Sequence, residues 1–212
     1  MTRFLVVLDV DSTLIEQEAI ELLADEAGAG PEVARITERA MAGELDFAES
    51  LAERVALLAG LDAGCCARVA DRITLTAGVE QLIAGVHAAG GAAAVVSGGL
   101  HELLDPIAAR LRLDRHRANR LELGDGRFTG RTTGPVIDAG AKAEALRQWA
   151  DELGVPISRT VAVGDGANDL GMMAEAGLSI AFDAKPIVRA AADVSLPHRD
   201  LSSVLAVLGL RG

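Results

Sequence analysis

The stretch Leu5-Val6-Val7-Leu8-Asp9-Val10-Asp11-Ser12-Thr13 decides the fold class of this chain. Its first four residues are apolar and branched, which is typical of a strand buried on both faces of a parallel sheet. Asp9 and Asp11 follow at once, and side chains two positions apart on an extended chain point to the same side. We therefore expect both carboxylates at the carboxyl end of this strand, where open α/β sheets bind their ligands.

The spacing of Asp9 and Asp11 indicates a site for a divalent cation. Two close carboxylates repel each other unless a positive charge lies between them or one of them holds a proton. The same residues would also suit an ordinary turn that caps a helix, because Asp, Ser and Thr favour both positions. The choice between these interpretations depends on the remainder of the chain.

Composition and charge exclude several classes of function. The chain has 212 residues, half of them hydrophobic, which suffices for one α/β domain with a small insertion. Its formal net charge is −11, and aromatic residues make up only 2% of it. Such a chain is a poor binder of nucleic acid or of an anionic membrane. A small anionic substrate fits this composition, because it needs only a local positive patch.

The cysteine pattern and the start of the chain predict a cytoplasmic protein. Cys65 and Cys66 are adjacent, and neighbouring cysteines rarely bridge, so we expect neither a disulfide nor a zinc site. The first residues lead directly into the first strand, so we expect no signal peptide. No apolar run reaches the roughly 20 residues of a membrane helix. These features fit a reducing compartment.

Helical periodicity fills the chain from the first strand to about residue 71 and predicts an inserted helical cap. The expected helices are Glu16–Ala27, Pro31–Ala42, Asp46–Leu58 and Asp62–Ala70. A crossover between parallel strands needs only one helix. We therefore expect residues 15–74 to form a cap domain over the site, and residues 1–14 and 75–212 to form the catalytic core.

Strands and helices alternate from Ala77 onward, which predicts a parallel sheet with helices on both faces. A Gly-Asp-Gly sequence at 124–126 indicates a β-hairpin within 120–133. We predict a Rossmann-like α/β core of strand order 3-2-1-4-5, with the first strand beside the strand 160–163. The further elements are expected helices at 79–89, 99–111, 139–153, 186–191 and 201–208, and expected strands at 91–96, 178–181 and 194.

Polar residues recur at the expected strand ends and helix starts of this core. Ser97-Gly98-Gly99 would present a hydroxyl and backbone N–H groups to an anion at the start of a helix. Lys142 supplies a positive charge for phosphate, and Asp165 adds an oxygen ligand of the kind that Mg²⁺ prefers. Each motif alone matches a common turn or surface residue. Together they indicate phosphoryl transfer.

The order of these motifs resembles the haloacid dehalogenase superfamily of phosphotransferases. The matching residues are Asp9-Val-Asp11-Ser-Thr13, Ser97-Gly-Gly, Lys142 and Gly164-Asp165-Gly166-Ala-Asn168-Asp169, which span nearly the whole chain. The resemblance implies Asp9 as the nucleophile and Asp11 as the general acid and base. It implies Mg²⁺ on the Asp9 carboxylate, the Asp11 backbone carbonyl and Asp165. It further implies phosphate binding by Ser97, Gly98, Lys142 and Asn168. Asp169 and Thr13 would hold the site residues in place without binding the phosphate themselves.

Residues of the expected cap narrow this resemblance to the phosphoserine phosphatase branch. They are Glu18 and the run from Met41 through Phe47 to Arg54. In that branch, counterparts of Glu18 and Arg54 hold the amino and carboxylate groups of the substrate, and counterparts of Met41 and Phe47 close over it. The resemblance implies hydrolysis of O-phospho-L-serine, the last step of serine biosynthesis, by a monomer or homodimer. Leu100 and Leu75 depart from the family pattern, at positions that do not touch the expected chemistry.

Three other functions remain open from the sequence. An enzyme of the same fold could pass the phosphoryl group to homoserine, since the aspartyl phosphate would be shared. A phosphatase for another small phosphorylated metabolite would make Glu18 and Arg54 incidental surface charges. A signalling receiver domain also uses aspartates, a hydroxyl, a lysine and Mg²⁺, but such domains are much smaller and have no helical insertion after the first strand.

Overall fold

The computed structural model describes residues 1–41 and 44–210. The side chain of Met41 lies outside the described residues, so its expected contact with a substrate stays a prediction. The strands are β1 Leu5–Leu8, β2 Ala92–Leu100, β3 Arg115–Gly124, β4 Arg127–Thr133, β5 Thr160–Gly164, β6 Leu178–Phe182 and β7 Val194–Leu196. The helices are α1 Ala19–Glu26, α2 Gly30–Met41, α3 Phe47–Ala56, α4 Cys65–Ala70, α5 Val79–Ala88, α6 His101–Leu111, α7 Ala139–Leu153, α8 Leu170–Glu175, α9 Pro186–Ala191 and α10 Ser203–Val207.

These strands form one sheet in the order β4-β3-β2-β1-β5-β6-β7, within the described residues. Every neighbouring pair is parallel except β3 and β4, which form the expected hairpin. The α/β class and the pairing of β1 with β5 are therefore confirmed. The predicted order 3-2-1-4-5 covers only the five central strands. It lacks the antiparallel edge strand β4 and the three-residue strand β7, whose short sequence gives no pairing signal.

The first strand forms the centre of the hydrophobic core, as its unbroken apolar run predicts. All four of its residues are fully buried. Val6 and Leu8 pack in the cluster on one face of the sheet, and Leu5 and Val7 pack in the cluster on the other. Leu8 pairs with Val95 of β2 and with Val163 of β5. The loops that follow these three strands therefore start from one edge of the sheet.

The second strand is longer than expected. The prediction of a helix from Gly99 is wrong: β2 continues to Leu100, and α6 begins at His101. Glycine is a poor helix former because of its backbone entropy, and here both glycines lie against other groups. A Cβ on Gly98 would lie 2.7 Å from the ring of Phe47, and one on Gly99 would lie 2.8 Å from Asp11 Oδ2. Ser97-Gly98-Gly99 thus forms a strand end, not the start of a helix.

Helices α1 to α4 occupy the chain between β1 and α5, the range of the expected cap. The chain enters and leaves this range through two paired segments, in which Ile15 and Leu75 form an antiparallel bridge. On the far side, the loop after α3 pairs with β4, since Gly60 N–H donates to the Phe128 carbonyl (2.8 Å) and Phe128 N–H donates to the Leu61 carbonyl (3.0 Å). This pairing covers the edge of β4, which would otherwise expose unpaired backbone groups.

Two further expectations concern membranes and cysteines. In the part of the chain that the structure describes, no helix has both the length and the apolar character needed to cross a membrane. Cys65 and Cys66 are both free thiols, as their adjacent positions predict.

Candidate active site

A cavity of about 260 Å³ lies at the carboxyl edge of the sheet, between the strand ends and the helices of the insertion. Most of the predicted site residues line it together. They are Asp9, Asp11, Glu18, Phe47, Arg54, Gly98, Asp165 and Asn168. Ser97, Lys142, Asp169 and Thr13 are buried beside it. The structure thus brings together residues that are up to about 160 positions apart in the chain.

A buried chain of charges forms the floor of this cavity. Lys142 Nζ donates to Asp9 Oδ1 (2.6 Å) and to Asp169 Oδ1 (2.8 Å). Burial and the neighbouring Asp169 carboxylate raise the pKa of Asp9 well above its usual value. Burial alone would lower the pKa of Lys142, but the two carboxylates outweigh it, so the pKa is raised and Lys142 stays charged. The lysine therefore offsets the repulsion between two buried aspartates.

Helix α7 positions Lys142. The helix begins after Asp138, whose side chain accepts a hydrogen bond from Ala141 N–H (2.9 Å). This cap fixes the first turn of α7. Lys142 lies in that turn with its backbone N–H on the Asp138 carbonyl (3.0 Å), and its side chain crosses to the end of β1.

The aspartates of the floor fit a divalent cation. Carboxylate oxygens of Asp9, Asp165 and Asp169 all lie within 4.8 Å of one another. Burial and the charge of Asp169 raise the pKa of Asp165, whose Oδ1 accepts from the Thr13 hydroxyl (3.2 Å). Both oxygens of Asp169 already accept hydrogen bonds, from Lys142 and from Gly166 N–H. Asp9 and Asp165 face the cavity, and clustered carboxylates of this kind are ligands for hard cations.

Asp11 is oriented from two sides. Its Oδ1 accepts from Ala19 N–H (2.7 Å), the first residue of α1, and its Oδ2 accepts from the Ser97 hydroxyl (3.0 Å). The oxygen of Ser97 in turn accepts from Gly99 N–H (2.7 Å). The Asp11 side chain is therefore tied to the end of β2 and to the start of the helical insertion. It does not belong to the group of carboxylates that gathers around Lys142.

Glu18 and Arg54 place opposite charges on the wall of the cavity that the insertion supplies. The Ser12 hydroxyl donates to Glu18 Oε1 (3.0 Å), and Arg54 Nε donates to the Ser50 carbonyl one turn earlier in α3 (3.2 Å). Loss of water around the carboxylate, with repulsion from Asp11, raises the pKa of Glu18 to about 7. Burial lowers the pKa of Arg54, although a guanidinium keeps its charge in proteins.

Helix α3 presents Phe47, Leu51 and Arg54 to the cavity from one face. Their spacing of four and then three residues is the spacing that aligns side chains on a helix. A capping box starts this helix, because the Asp46 side chain accepts from Glu49 N–H while the Glu49 side chain accepts from Asp46 N–H. The local sequence thus fixes which face of α3 carries the site.

Several lining residues were not found from the sequence. They are Ile20, Glu21, Thr37, Leu51 and Lys185. Helical spacing from Phe47 could have indicated Leu51, and spacing from Glu18 could have indicated Glu21. Lys185 precedes Pro186 at the start of α9, and its backbone N–H donates to the Asp165 carbonyl (3.0 Å). This contact joins distant segments and leaves no local signal.

Comparison with a family model gives a match over most of the chain. The model of the haloacid dehalogenase-like hydrolases matches residues 6–174. This range includes every predicted site residue, from Asp9 to Asp169.

Curated relatives of known name are similar over nearly the whole chain. A phosphoserine phosphatase of Mycobacterium tuberculosis is 52% identical over 209 residues, which are 99% of this chain and 51% of that protein. One from Lactococcus lactis is 49% identical over 201 residues, which are 95% of this chain and 93% of that protein. The chain thus spans about half the length of the mycobacterial relative and nearly all of the lactococcal one.

Solved structures of similar proteins share the fold. A substrate-bound phosphoserine phosphatase complex superposes with a TM-score of 0.91 at 42% identity, covering 98% of this chain and 99% of that one. A phospho-aspartyl intermediate analogue of phosphoserine phosphatase gives 0.91 at 43% identity with the same coverage. From the matched motifs, the shared fold and this level of identity, the chain belongs to the haloacid dehalogenase-like hydrolase family and, within it, to the phosphoserine phosphatases.

Proposed function

We propose that this chain hydrolyses O-phospho-L-serine to L-serine and phosphate through an aspartyl phosphate on Asp9. One observation carries the proposal: a single cavity combines Asp9 and Asp11 on its floor with Glu18 and Arg54 on its wall. Phosphoserine carries an ammonium and a carboxylate beside its phosphate. The cavity has an opposite charge for each of these groups, and the similar structures include a substrate-bound phosphoserine phosphatase.

The first step transfers the phosphoryl group to the enzyme. A carboxylate oxygen of Asp9 attacks phosphorus, the bond between phosphorus and the seryl oxygen breaks, and protonated Asp11 gives its proton to that oxygen. Asp9 is held for this attack by Lys142, which lies 2.6 Å from its other oxygen. Serine leaves, and the phosphoryl group stays on Asp9.

The second step releases phosphate. Asp11, now a carboxylate, takes a proton from a water molecule that attacks phosphorus, and the bond between phosphorus and Asp9 breaks. Phosphate leaves with Asp9 ionised and Asp11 protonated, as at the start. A similar solved structure is described as a phospho-aspartyl intermediate analogue, which supports this route.

We propose that Ser97, Gly98, Lys142 and Asn168 bind the phosphoryl oxygens, and their positions in or beside the cavity support this role. Gly98 and Asn168 line the cavity. Ser97 lies one hydrogen bond from Asp11 (3.0 Å), and Lys142 lies one hydrogen bond from Asp9 (2.6 Å). Charged and polar donors placed in advance around the transferred group are the main source of rate enhancement in phosphoryl transfer.

Mg²⁺ is the metal of the proposal, held by the Asp9 carboxylate, the Asp11 backbone carbonyl and Asp165. When bound there, the cation would neutralise negative charge on the phosphate. The closeness of the carboxylates and their all-oxygen chemistry support this assignment. Asp169 keeps Lys142 and the Gly166 backbone in place through its two hydrogen bonds, and Thr13 orients Asp165.

Residues 15–74 form the cap domain of the proposal, and residues 1–14 and 75–212 form the core. Glu18 binds the ammonium group, Arg54 binds the carboxylate in a bidentate pair, and Phe47 and Met41 close over the substrate. A site built to pair two buried charges rejects ligands that lack them, because its own charges would be left unpaired. The cap thereby supplies the selectivity for phosphoserine.

We propose that the protein acts in the cytoplasm on a small molecule, without nucleic acid or membrane as a partner. The free thiols of Cys65 and Cys66 suit a reducing compartment. The enzyme would act as a monomer or homodimer in the last step of serine biosynthesis.

Phosphate release from L-phosphoserine with Mg²⁺ tests the proposal. Phosphothreonine and a generic aryl phosphate serve as matched substrates, and a chelator serves as the metal control. Fast release from phosphoserine alone, stopped by the chelator, supports the proposal. Release from the aryl phosphate alone would refute the substrate. Formation of phosphohomoserine when homoserine is added would instead favour the phosphotransferase.

A further inference from the structure

The pairing between β2 and β3 is interrupted beside the active site. The paired residues run from Ala94 and Arg115 to Val96 and Arg117, and the ladder resumes at Leu100 and Asn119. Residues 97–99 of β2 therefore face a single residue of β3. Such a bulge frees backbone groups from the sheet and re-aims them, which suits a backbone that binds a ligand. It also removes strand partners from backbone carbonyls, which need other donors.

The side chain of Asn119 replaces the missing hydrogen bond of the ladder. Asn119 is only 2% exposed. Its Nδ2 donates to the Gly98 carbonyl (2.8 Å), and its Oδ1 accepts from Ile137 N–H (2.8 Å). Because a backbone N–H can only donate, the amide oxygen of Asn119 must face Ile137 and its NH₂ group must face Gly98.

These two bonds connect two segments that carry groups for the phosphoryl oxygens. Gly98 lines the cavity at the end of β2. Ile137 directly precedes Asp138, the residue that caps α7 and accepts from the backbone N–H of Lys142. The segments also touch, since a Cβ on Gly98 would lie 3.6 Å from the Ile137 carbonyl. Asn119 lies at the point where the end of β2 meets the start of α7.

We propose that Asn119 is a positioning residue for phosphoryl transfer. It holds the Gly98 backbone and the first turn of α7 in one geometry, so that Gly98 and Lys142 act on the same phosphoryl group. This inference deepens the proposed function and rests on it. Displacements of about 1 Å at a reacting centre cost on the order of 100-fold in rate, so a residue that sets this spacing affects kcat.

The strand around Asn119 has supports of its own. The backbone N–H of Ala118 donates to His101 Nε2 (3.1 Å), and the backbone N–H of Leu121 donates to Glu102 Oε1 (3.1 Å). We therefore expect β3 to stay in place when Asn119 alone is changed. The effect of the substitution should fall on the contact between Gly98 and Ile137.

The substitution Asn119→Asp tests the two hydrogen bonds of Asn119 one at a time, because it removes one and keeps the other. Its carboxyl group keeps the acceptor for Ile137 N–H and replaces the donor to Gly98 with an oxygen that repels the Gly98 carbonyl. At pH 8 we expect kcat for phosphoserine to fall about 10- to 100-fold, with a much smaller change in KM. As the pH falls, the introduced carboxyl gains a proton and can donate to Gly98. The ratio of variant kcat to wild-type kcat should then rise, in a range that burial shifts toward neutral pH.

Two further variants serve as controls. Asn119→Ser is too short to make both bonds, so it should lose a similar factor in kcat and show no recovery in acid. It also serves as the test if Asn119→Asp does not fold. Ser179→Ala removes a buried hydroxyl of β6 that is bonded to Asp193 and lies outside the cavity. It should lower Tm and leave kcat unchanged.

The affinity for inorganic phosphate, measured by calorimetry on the same proteins, separates this inference from the proposed function. If the wild-type protein does not hydrolyse phosphoserine, the proposed substrate is refuted. Weaker phosphate binding in Asn119→Asp at pH 8, restored in acid, would still support the positioning role. Wild-type kcat and phosphate affinity in both Asn119 variants would overturn it. A fall in kcat that is explained by the lower Tm of the variants, as for a purely structural residue, would also overturn it.

Discussion

The floor and the wall of the cavity hold their charges in different ways. On the floor, Lys142 is bonded to Asp9 and Asp169, and all three side chains are buried. On the wall, the described hydrogen bonds of the Glu18 and Arg54 side chains are a single contact each, to Ser12 and to a carbonyl within the same helix. Charges on the floor are thus paired within the protein, whereas those on the wall keep donors and acceptors for a ligand.

This difference assigns different tasks to the two regions. Groups that are fixed and paired in advance can stabilise a transition state without reorganisation, which suits the chemical steps. Groups that are left unpaired gain their partners only when the correct substrate binds, which suits selectivity. Changes on the floor should therefore affect kcat and stability. Changes on the wall should mainly affect KM and the choice of substrate.

The largest effect is expected on the floor, from Asp9→Asn. The amide has almost no nucleophilic character, so we expect turnover of phosphoserine to fall by about 10⁴-fold or more. The amide oxygen can still accept from Lys142, which also keeps Asp169 as a buried partner, so Tm should change much less than in a variant that removes the lysine. Phosphate release and a thermal melt check both expectations. Activity within tenfold of wild type would show that Asp9 is not the nucleophile.

A smaller effect on turnover but the largest effect on stability is expected from Lys142→Met. The buried carboxylates of Asp9 and Asp169 would lose the cation between them, and breaking a buried ion pair from one side costs about 3–5 kcal/mol. Urea unfolding at pH 8 measures this loss. It should shrink as the pH falls, because protonation of either carboxylate removes the repulsion. The exposed Arg147→Met, which removes a surface ion pair with Glu175, is the matched control. A loss equal to that of the control would contradict this description of the floor.

Glu18→Gln tests the wall through its pH dependence. Glu18 has a pKa of about 7 in the folded protein, against 4.5 for an ordinary glutamate. Above pH 7 its carboxylate pairs with the substrate ammonium, so the variant should raise KM at pH 8 by about tenfold or more. At pH 6 most of the Glu18 carboxyl groups in the wild type are protonated, so the KM values of the two proteins should converge.

Glu18→Gln should weaken substrate binding at pH 8 but stabilise the folded protein. A carboxyl group whose pKa is raised on folding stabilises the protein at pH values below the pKa of the unfolded state. For Glu18 this contribution is lost as the pH rises through about 7, the pKa in the folded protein. Glu18→Gln should therefore increase Tm at pH 8 and leave it unchanged near pH 4. A Tm that falls at pH 8 would show that Glu18 is a structural residue of the fold.

The sequence predicted the floor better than the wall. Asp9, Lys142 and Asp165 follow apolar strands or begin a helix, and these local patterns place their side chains at one edge of a parallel sheet. The face of a helix that meets a cavity depends on packing between distant segments. For this reason Thr37 of α2 lines the cavity without a signal in its own surroundings, and Lys185 of the core was missed because its contact with Asp165 joins distant segments.

Two elements of the sheet show the same limit. β3 begins with Arg115-His116-Arg117, a polar run that hides its parallel pairing with β2. The strand β2 continues through Ser97-Gly98-Gly99, where Phe47 and Asp11 occupy the space that a side chain on either glycine would need. Neither contact is visible from residues that are near in the chain. Asn119 was missed for the same reason, since its partners Gly98 and Ile137 lie about 20 positions away on either side.

The most direct test of the division between floor and wall compares phosphoserine with phosphoethanolamine, which lacks the carboxylate, in the wild type and in Arg54→Ala. We expect Arg54→Ala to raise KM for phosphoserine about 10- to 100-fold and to leave KM for phosphoethanolamine nearly unchanged. The half-buried Arg39, which pairs with Glu44 and Glu53 and does not line the cavity, provides the control variant Arg39→Ala. An equal loss of activity on both substrates would contradict this role of Arg54, because the residue would then support the chemistry and not the choice of substrate.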